Sequence, residues 1–140
     1  MVDTFSIALS QDSRHFATGS RDKKVAVWSV DPEKEPETGL GICSLACKAP
    51  MAFDSPVTAL AFLPIDKRMI LAVGLDNGKI VIVEWCHGDS EEWKVLVTLD
   101  SDQAHHKTVK RLKVRPGTQD SIYLASCSDD HFVKIHQVRI

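Results

Sequence analysis

Cysteines, long hydrophobic runs and recognisable targeting signals are scarce or missing in this sequence. Its 140 residues include only four cysteines, too few and too scattered for the disulfide framework of a small secreted domain. No apolar run approaches the roughly 18 residues that a membrane span needs. The first residues, Met1 to Phe5, lack the basic and apolar segments of a signal peptide. We therefore expect reduced thiols, no membrane contact, and a cytoplasmic location, with the nucleus as a second location.

An excess of charge of either sign is also missing. The formal net charge is −2, so no overall field would draw the chain onto nucleic acid, and any basic patch must be local. No window of useful length shows a 3.6-residue hydrophobic period, which predicts no helix longer than about two turns. The length and the mixture of 44% hydrophobic and 26% charged residues indicate one globular domain at most.

Motifs for catalysis and metal binding are absent as well. His105, Ser128 and Asp130 could be written as a hydrolase triad, but the sequence has no Gly-x-Ser-x-Gly turn, and a buried structural set is the favoured alternative. Cys43 and Cys47 have no second Cys pair and no His-x-x-x-His to complete a zinc site. No phosphate-binding loop is present. The sequence therefore predicts no enzyme, no cofactor and no bound metal.

What the sequence does contain is an internal repeat. Three segments align without gaps, and they are Phe16–Trp28, Ile70–Ile82 and Leu124–His136. In this alignment Asp22, Asp76 and Asp130 recur every 54 residues. Each segment consists of two short β-type runs separated by a turn of the kind that Asp, Asn and Gly favour. We predict that the three aspartates occupy equivalent turns.

Further strands flank each of these pairs. An alternating strand precedes each pair, at Phe5–Leu9, Val57–Phe62 and Val109–Val114, and a fourth strand follows the first two, at Ile42–Ala46 and Trp93–Leu99. Both Val25–Trp28 and Ile80–Val83 are apolar on two faces, as in sheets packed between neighbouring layers. Repeated four-stranded antiparallel units predict propeller blades, with repeats at about 4–50, 51–103 and 104–140 in one domain spanning 1–140.

These residues resemble the WD40 repeat family. In that family a His, a Ser or Thr, an Asp and a Trp form a buried hydrogen-bonded set in each blade. On this resemblance the first repeat carries Asp22 and Trp28 with Thr18 or Ser20, the second carries Asp76 with Phe53 and Ile82 in the His and Trp places, and the third carries His105, Asp130 and Ser126 or Ser128, with His136 for the Trp. The resemblance implies an all-β fold of about three blades within a larger, seven-bladed type of propeller.

A narrower resemblance rests on the order and spacing of Thr18–Trp28, Ala72–Ile80 and Ala125–His136. Together these segments resemble the C-terminal blades of the propeller subunits of Elongator, a tRNA-modifying complex, from about Phe5 to Val138. The resemblance implies a non-catalytic scaffold that supports wobble-uridine modification. Its partners would be other protein subunits of the complex and the remaining blades of its own propeller, while the chemistry belongs to another subunit.

The alternative function is RNA contact through a basic strand. Strand alternation places Val109, Leu112 and Val114 inside, and the outward basic residues are Lys107, Lys110, Lys113 and Arg115, with Arg21, Lys23 and Lys24 in the first turn. Such residues could form a surface for phosphates or an acidic partner, or could protect exposed strand edges from pairing. No aromatic residues alternate with them, as they would in a platform for single-stranded RNA.

Three repeats are too few to close a propeller, which needs about four to eight blades. Because Met1 falls inside a blade, we expect the beginning of the chain to be internal to a longer domain, and we expect Ile140 to be a natural end. An isolated chain of this kind would expose strand edges and an apolar blade face, which predicts self-association.

Overall fold

The computed structural model describes residues 4–31, 42–65, 67–88, 90–115 and 121–140. These residues form twelve β-strands and no helix, which confirms the all-β prediction. The strands are β1 Thr4–Leu9, β2 His15–Ser20, β3 Lys24–Asp31, β4 Ile42–Leu45, β5 Met51–Ala52, β6 Val57–Phe62, β7 Met69–Leu75, β8 Ile80–Cys86, β9 Glu92–Leu99, β10 Val109–Arg115, β11 Ile122–Ser128 and β12 Val133–Val138. The described part of the chain contains no helix that could cross a membrane.

The strands form three antiparallel sheets in chain order. The first sheet has the order β1-β2-β3-β4, the second β6-β7-β8-β9 and the third β10-β11-β12. The short strand β5 pairs with β3, so it belongs to the first sheet although it lies within the second predicted repeat. Propeller blades are built from sequential antiparallel hairpins of this kind. In the three blades the inner strands are β1, β6 and β10.

The second sheet lies between the other two and is buried on both faces. One face packs on Ala17, Val25 and Val27 of the first sheet, and the other packs on Leu112 and Leu124 of the third. Burial of each Val or Leu side chain contributes about 1.5–3 kcal/mol relative to exposure. The two-sided apolar pattern that predicted a sandwiched strand at Ile80–Val83 is therefore confirmed, since all four of its residues are buried.

The turns between the second and third strands of each sheet have one common geometry. In each, an N–H donates to the carbonyl three residues earlier: Lys23 to Ser20, Gly78 to Leu75 and His131 to Ser128. The three donors also share a positive φ, of 71°, 94° and 71°. These contacts define which residues of the three sheets are equivalent.

This equivalence corrects the predicted register of the aspartates. The residue before each positive-φ position is Asp22, Asn77 or Asp130, and each accepts the backbone N–H two residues later through its side-chain oxygen, at 3.1, 3.1 and 3.0 Å. Asp76 therefore lies one position too early, and the prediction that it is equivalent to Asp22 and Asp130 is wrong. Asn77 takes the place because an amide oxygen accepts this turn bond as well as a carboxylate does.

Candidate functional site

The second and third sheets are each joined to the turn of the preceding sheet by a backbone hydrogen bond. The N–H of Phe53 donates to the carbonyl of Lys23 at 2.8 Å, and the N–H of His105 donates to the carbonyl of Gly78 at 3.1 Å. Because Lys23 and Gly78 are equivalent, Phe53 and His105 are equivalent too. The structure thus places Phe53 where the sequence put it, in the second sheet's counterpart of the His position.

The third sheet contains a buried chain of polar side chains. The fully buried His105 lies with Nδ1 2.9 Å from Asp130 Oδ2 and with Nε2 2.7 Å from Ser126 Oγ. Ser126 Oγ lies 3.5 Å from Nε2 of His136. Of the two serines left open by the sequence, Ser126 is therefore the member of the set, whereas the Ser128 hydroxyl donates to the carbonyl of Lys107 at 3.0 Å.

The surroundings of this hydrogen-bonded set favour an ionised Asp130 and a neutral His136. Desolvation opposes ionisation of Asp130, but the backbone N–H groups of Phe132 and His106 and the His105 ring outweigh it and lower the pKa of the carboxyl to about 2. Burial lowers the pKa of His136, and the nearby His105 and Lys134 act in the same direction.

The burial of this set decides what it can do chemically. Ser126 is 2% exposed and His105 is 0% exposed, so a substrate cannot reach the hydroxyl without unpacking the second sheet from the third. An acyl-transfer nucleophile must instead be open to its substrate. The arrangement therefore satisfies buried polar groups and ties the inner loop, the middle strand and the turn of the third sheet together.

The second sheet has uncharged side chains at the positions of this hydrogen-bonded set. Phe53, Val73, Asn77 and Val83 occupy the positions of His105, Ser126, Asp130 and His136, as the strand pairing shows. The predicted Trp place at Ile82 is therefore also wrong by one residue. Asp76 instead accepts a hydrogen bond from the hydroxyl of Thr108 at 2.7 Å and so joins the second sheet to the third.

The first sheet keeps part of the predicted set. Trp28 donates its Nε1–H to Thr18 Oγ1 at 3.0 Å, and its ring stacks on Phe16 with 6.1 Å between centroids. Asp22 accepts from the backbone N–H of Lys24 at 3.1 Å and from the hydroxyl of Ser20. Thr18 is thus the partner of the Trp and Ser20 the partner of the Asp.

The predicted basic residues lie in several different places. Exposed residues of the first turn are Arg21, Lys23 and Lys24, and those near or in β10 are Lys107, Lys110, Lys113 and Arg115. Lys110 pairs with Asp129 at 3.4 Å, and the Arg115 guanidinium lies 5.7 Å from the centre of the Tyr123 ring.

Sequence analysis did not identify Arg111 as an exposed basic residue. A register shift between Val109 and Arg111 interrupts the simple alternation in β10, so both Lys110 and Arg111 are exposed. The same irregularity occurs in β1 and β6, and a bulge applied to all three inner strands would have identified Arg111.

In the described residues no three metal-ligating side chains lie together.

Comparison with known proteins agrees with this architecture. The family model "WD domain, G-beta repeat" matches residues 3–29 and 93–137, together more than half of the chain. The chain belongs to the WD40 repeat family.

Among individual proteins, the chain is similar to Elongator complex protein 2. It is 38% identical to the Drosophila melanogaster protein over 94% of the chain, 35% to the Rattus norvegicus protein over 92%, and 33% to the Homo sapiens protein over 92%. The chain spans only 16% to 17% of the length of these relatives.

Proposed function

We propose that this chain is part of a WD40 scaffold subunit of an Elongator complex. In this role it would support modification of wobble uridines in tRNA by holding other protein subunits, and it would not catalyse the reaction. The observation that carries the proposal is the similarity to Elongator complex protein 2, which extends over 92% to 94% of the chain and includes all three sheets.

Two features of the structure support a binding role. The Ser126–His105–Asp130 set, which has the residue types of a hydrolase triad, is buried and occupied by its own hydrogen bonds. Large apolar side chains are instead exposed on the outermost sheet faces, at Ile7 and Leu9 of the first sheet and at Ile135 of the third, where further blades of a larger propeller would pack. Exposed apolar surface of this kind is typical of protein contacts.

Affinity purification from the native host tests the scaffold role. The protein that contains this chain would carry a small tag, and the copurifying proteins would be identified by mass spectrometry. We expect the other Elongator subunits in stoichiometric amounts, and imaging of the same tag checks the proposed cytoplasmic location. A purification that enriches a different complex would contradict the proposal.

A single substitution separates scaffolding from catalysis. In cells that lack the native protein, the Ser126→Ala variant should restore wobble-uridine modification to the level of the wild type, because no hydroxyl chemistry is required. Mass spectrometry of tRNA nucleosides measures this level. Lost modification with the complex still assembled would contradict the non-catalytic role.

The alternative, an RNA contact through the basic strand, has weaker support. Lys110 is paired with Asp129, and Arg115 stacks on Tyr123, so these two cations already have partners. The basic residues of the first turn lie on a different sheet from those of β10.

A further inference from the structure

A cavity of about 530 Å³ opens between the first and second sheets. One wall is the β1–β2 loop with Gln11 and Asp12, and the other is the β6–β7 loop with Lys67 and Arg68. Both loops lie at the ends of the sheets opposite to the turns between the second and third strands. The two sheets pack on each other through one apolar core, so contacts within the described chain set the shape of this loop cavity.

The loop cavity has an apolar floor. Phe62 at the end of β6, Ile65 in the loop and Met69 at the start of β7 line it, and each of the three is only partly buried. The volume falls within the range of binding clefts, roughly 300–1,000 Å³. Covering this floor with an apolar group would remove hydrophobic surface from water, which favours an occupant with a large apolar side chain.

The acidic group at the loop cavity is already occupied. Among the described lining residues the acid is Asp12, which accepts hydrogen bonds from the Ser10 hydroxyl and from the backbone N–H of Arg14. Its other oxygen lies 3.4 Å from Nδ1 of His15. The bond from Ser10 is the main reason that the pKa of Asp12 is lowered, although partial desolvation opposes it. The carboxylate is therefore neutralised within its own loop and has little capacity left for a cationic ligand.

The cations on the other wall are not all balanced in this way. Arg68 forms two hydrogen bonds with the carboxylate of Glu84, at 2.8 and 2.9 Å. The neighbouring Lys67 is exposed and forms no ion pair with any acidic side chain of the described part of the chain. The exposed His87 also lines the loop cavity, with its ring 5.0 Å from the ring of Trp85. A carboxylate would find a partner in Lys67, whereas a cation would be repelled.

We propose that the loop cavity binds an extended acidic segment of a partner protein. A large apolar side chain of the segment covers Phe62, Ile65 and Met69, and a carboxylate beside it pairs with Lys67. A nucleic acid would satisfy the lysine but leave the apolar floor in water. The inference rests on the proposed scaffold function and assigns it a binding site. Its test uses one purified protein, so it can fail while the other subunits copurify, and the reverse.

Fluorescence anisotropy with three labelled peptides tests the proposal on the full-length protein that contains this chain. The first peptide has the order Glu-Glu-Leu-Phe-Glu-Glu. The second has Ser in place of Leu and Phe, and the third has Lys in place of each Glu. The three peptides separate the apolar requirement from the charge requirement.

Two matched variants locate the binding site. Lys67→Gly removes the unpaired charge from the loop cavity, and because the φ of Lys67 is +62°, a conformation that glycine adopts readily, the fold should be kept. The control is Lys23→Gly, an exposed lysine with a φ of +71° in the turn at the opposite end of β2. Both substitutions remove one charge from a left-handed position, so they differ in location alone. Circular dichroism checks that each variant is folded.

We expect the first peptide to bind about tenfold more tightly than either of the others, because only this peptide satisfies both the floor and the lysine. Lys67→Gly should weaken its binding about fivefold, as expected for the loss of one surface ion pair, whereas Lys23→Gly should change it by less than about twofold. Equal losses in the two variants would overturn the proposal. So would a first peptide that does not bind, or that binds no more tightly than the second or the third.

Discussion

The carbonyl oxygen of Gly78 accepts a hydrogen bond from the backbone N–H of His105 at 3.1 Å, and this contact fixes the loop of the third sheet on the turn of the second. Gly78 has a φ of +94°, and a Cβ added to it would lie 2.0 Å from the carbonyl oxygen of His105. The atoms nearest to this Cβ are all backbone atoms of the loop, the carbonyl groups of His105 and Lys107. No flexible side chain lies at this point that could move aside.

We expect Gly78→Ala to lower the free energy of unfolding by about 2–4 kcal/mol, because it combines a strained φ with a backbone clash. Gly88→Ala is the matched control: its φ is +153°, but nothing lies within 4 Å of the added Cβ. That change should cost only about 1 kcal/mol. Urea denaturation followed by tryptophan fluorescence measures both, and equal losses in the two variants would contradict the proposed contact.

The third sheet should also be stable with the uncharged residues that the second sheet has at the equivalent positions. His105→Phe alone leaves Ser126 and Asp130 without the ring nitrogens and should cost about 2–3 kcal/mol of unfolding free energy. Adding Ser126→Val and Asp130→Asn, the residue types of the second sheet at these positions, should recover at least half of that loss. Denaturation of the parent, single and triple variants gives the comparison. A triple variant less stable than the single one would show that the two sheets are not interchangeable.

Acid should weaken the third sheet through Asp130. Its pKa is about 2 in the folded chain, against an ordinary value of 3.8. The folded state therefore holds the proton less tightly, so the stabilisation is complete above 3.8 and is lost as the pH falls toward 2. Asp130→Asn should remove this part of the pH dependence, whereas Asp129→Asn, next to it and exposed, should not. Unfolding free energies at several acidic pH values test the difference, and parallel curves for the parent and Asp130→Asn would contradict it.

RNA binding by the basic residues should be weak and should respond little to salt. A surface that neutralises three or more phosphates loses affinity steeply between about 50 and about 200 mM salt, with a log–log slope of roughly −2 to −3. We expect a shallower slope, since Lys110 and Arg115 already have protein partners. Fluorescence anisotropy with a labelled single-stranded RNA measures the slope. A steep slope that Lys107→Ala/Lys113→Ala reduces would favour the RNA alternative.

Most strand positions could be predicted because their signals are local. The β-type runs at Val57–Phe62 and Trp93–Leu99 correspond to β6 and to all but the first residue of β9. Alternation of apolar and polar residues and the presence of turn-forming residues are patterns within a few positions, so they can be recognised in a single sequence.

The register of the repeat could not be determined in the same way. An ungapped alignment gave three aspartates at one interval, but Asp76 and Asn77 are neighbours, and both residue types form the side-chain-to-backbone bond of such a turn. Only the backbone bond from Gly78 to Leu75 and the positive φ of Gly78 show that the turn is centred on Asn77.

By itself, the sequence therefore determined the all-β architecture, the three repeats and the membership of the WD40 family. The tertiary structure decided which polar residues meet. Ser126 and Ser128 both point to the same side of β11, and only the packing of the buried His105 selects Ser126. Likewise, the register shift in β10 places Arg111 on the same side of the strand as Lys113 and Arg115, the side that does not pack on the second sheet. These choices depend on contacts between distant segments, and no local pattern of residues encodes the distance between them.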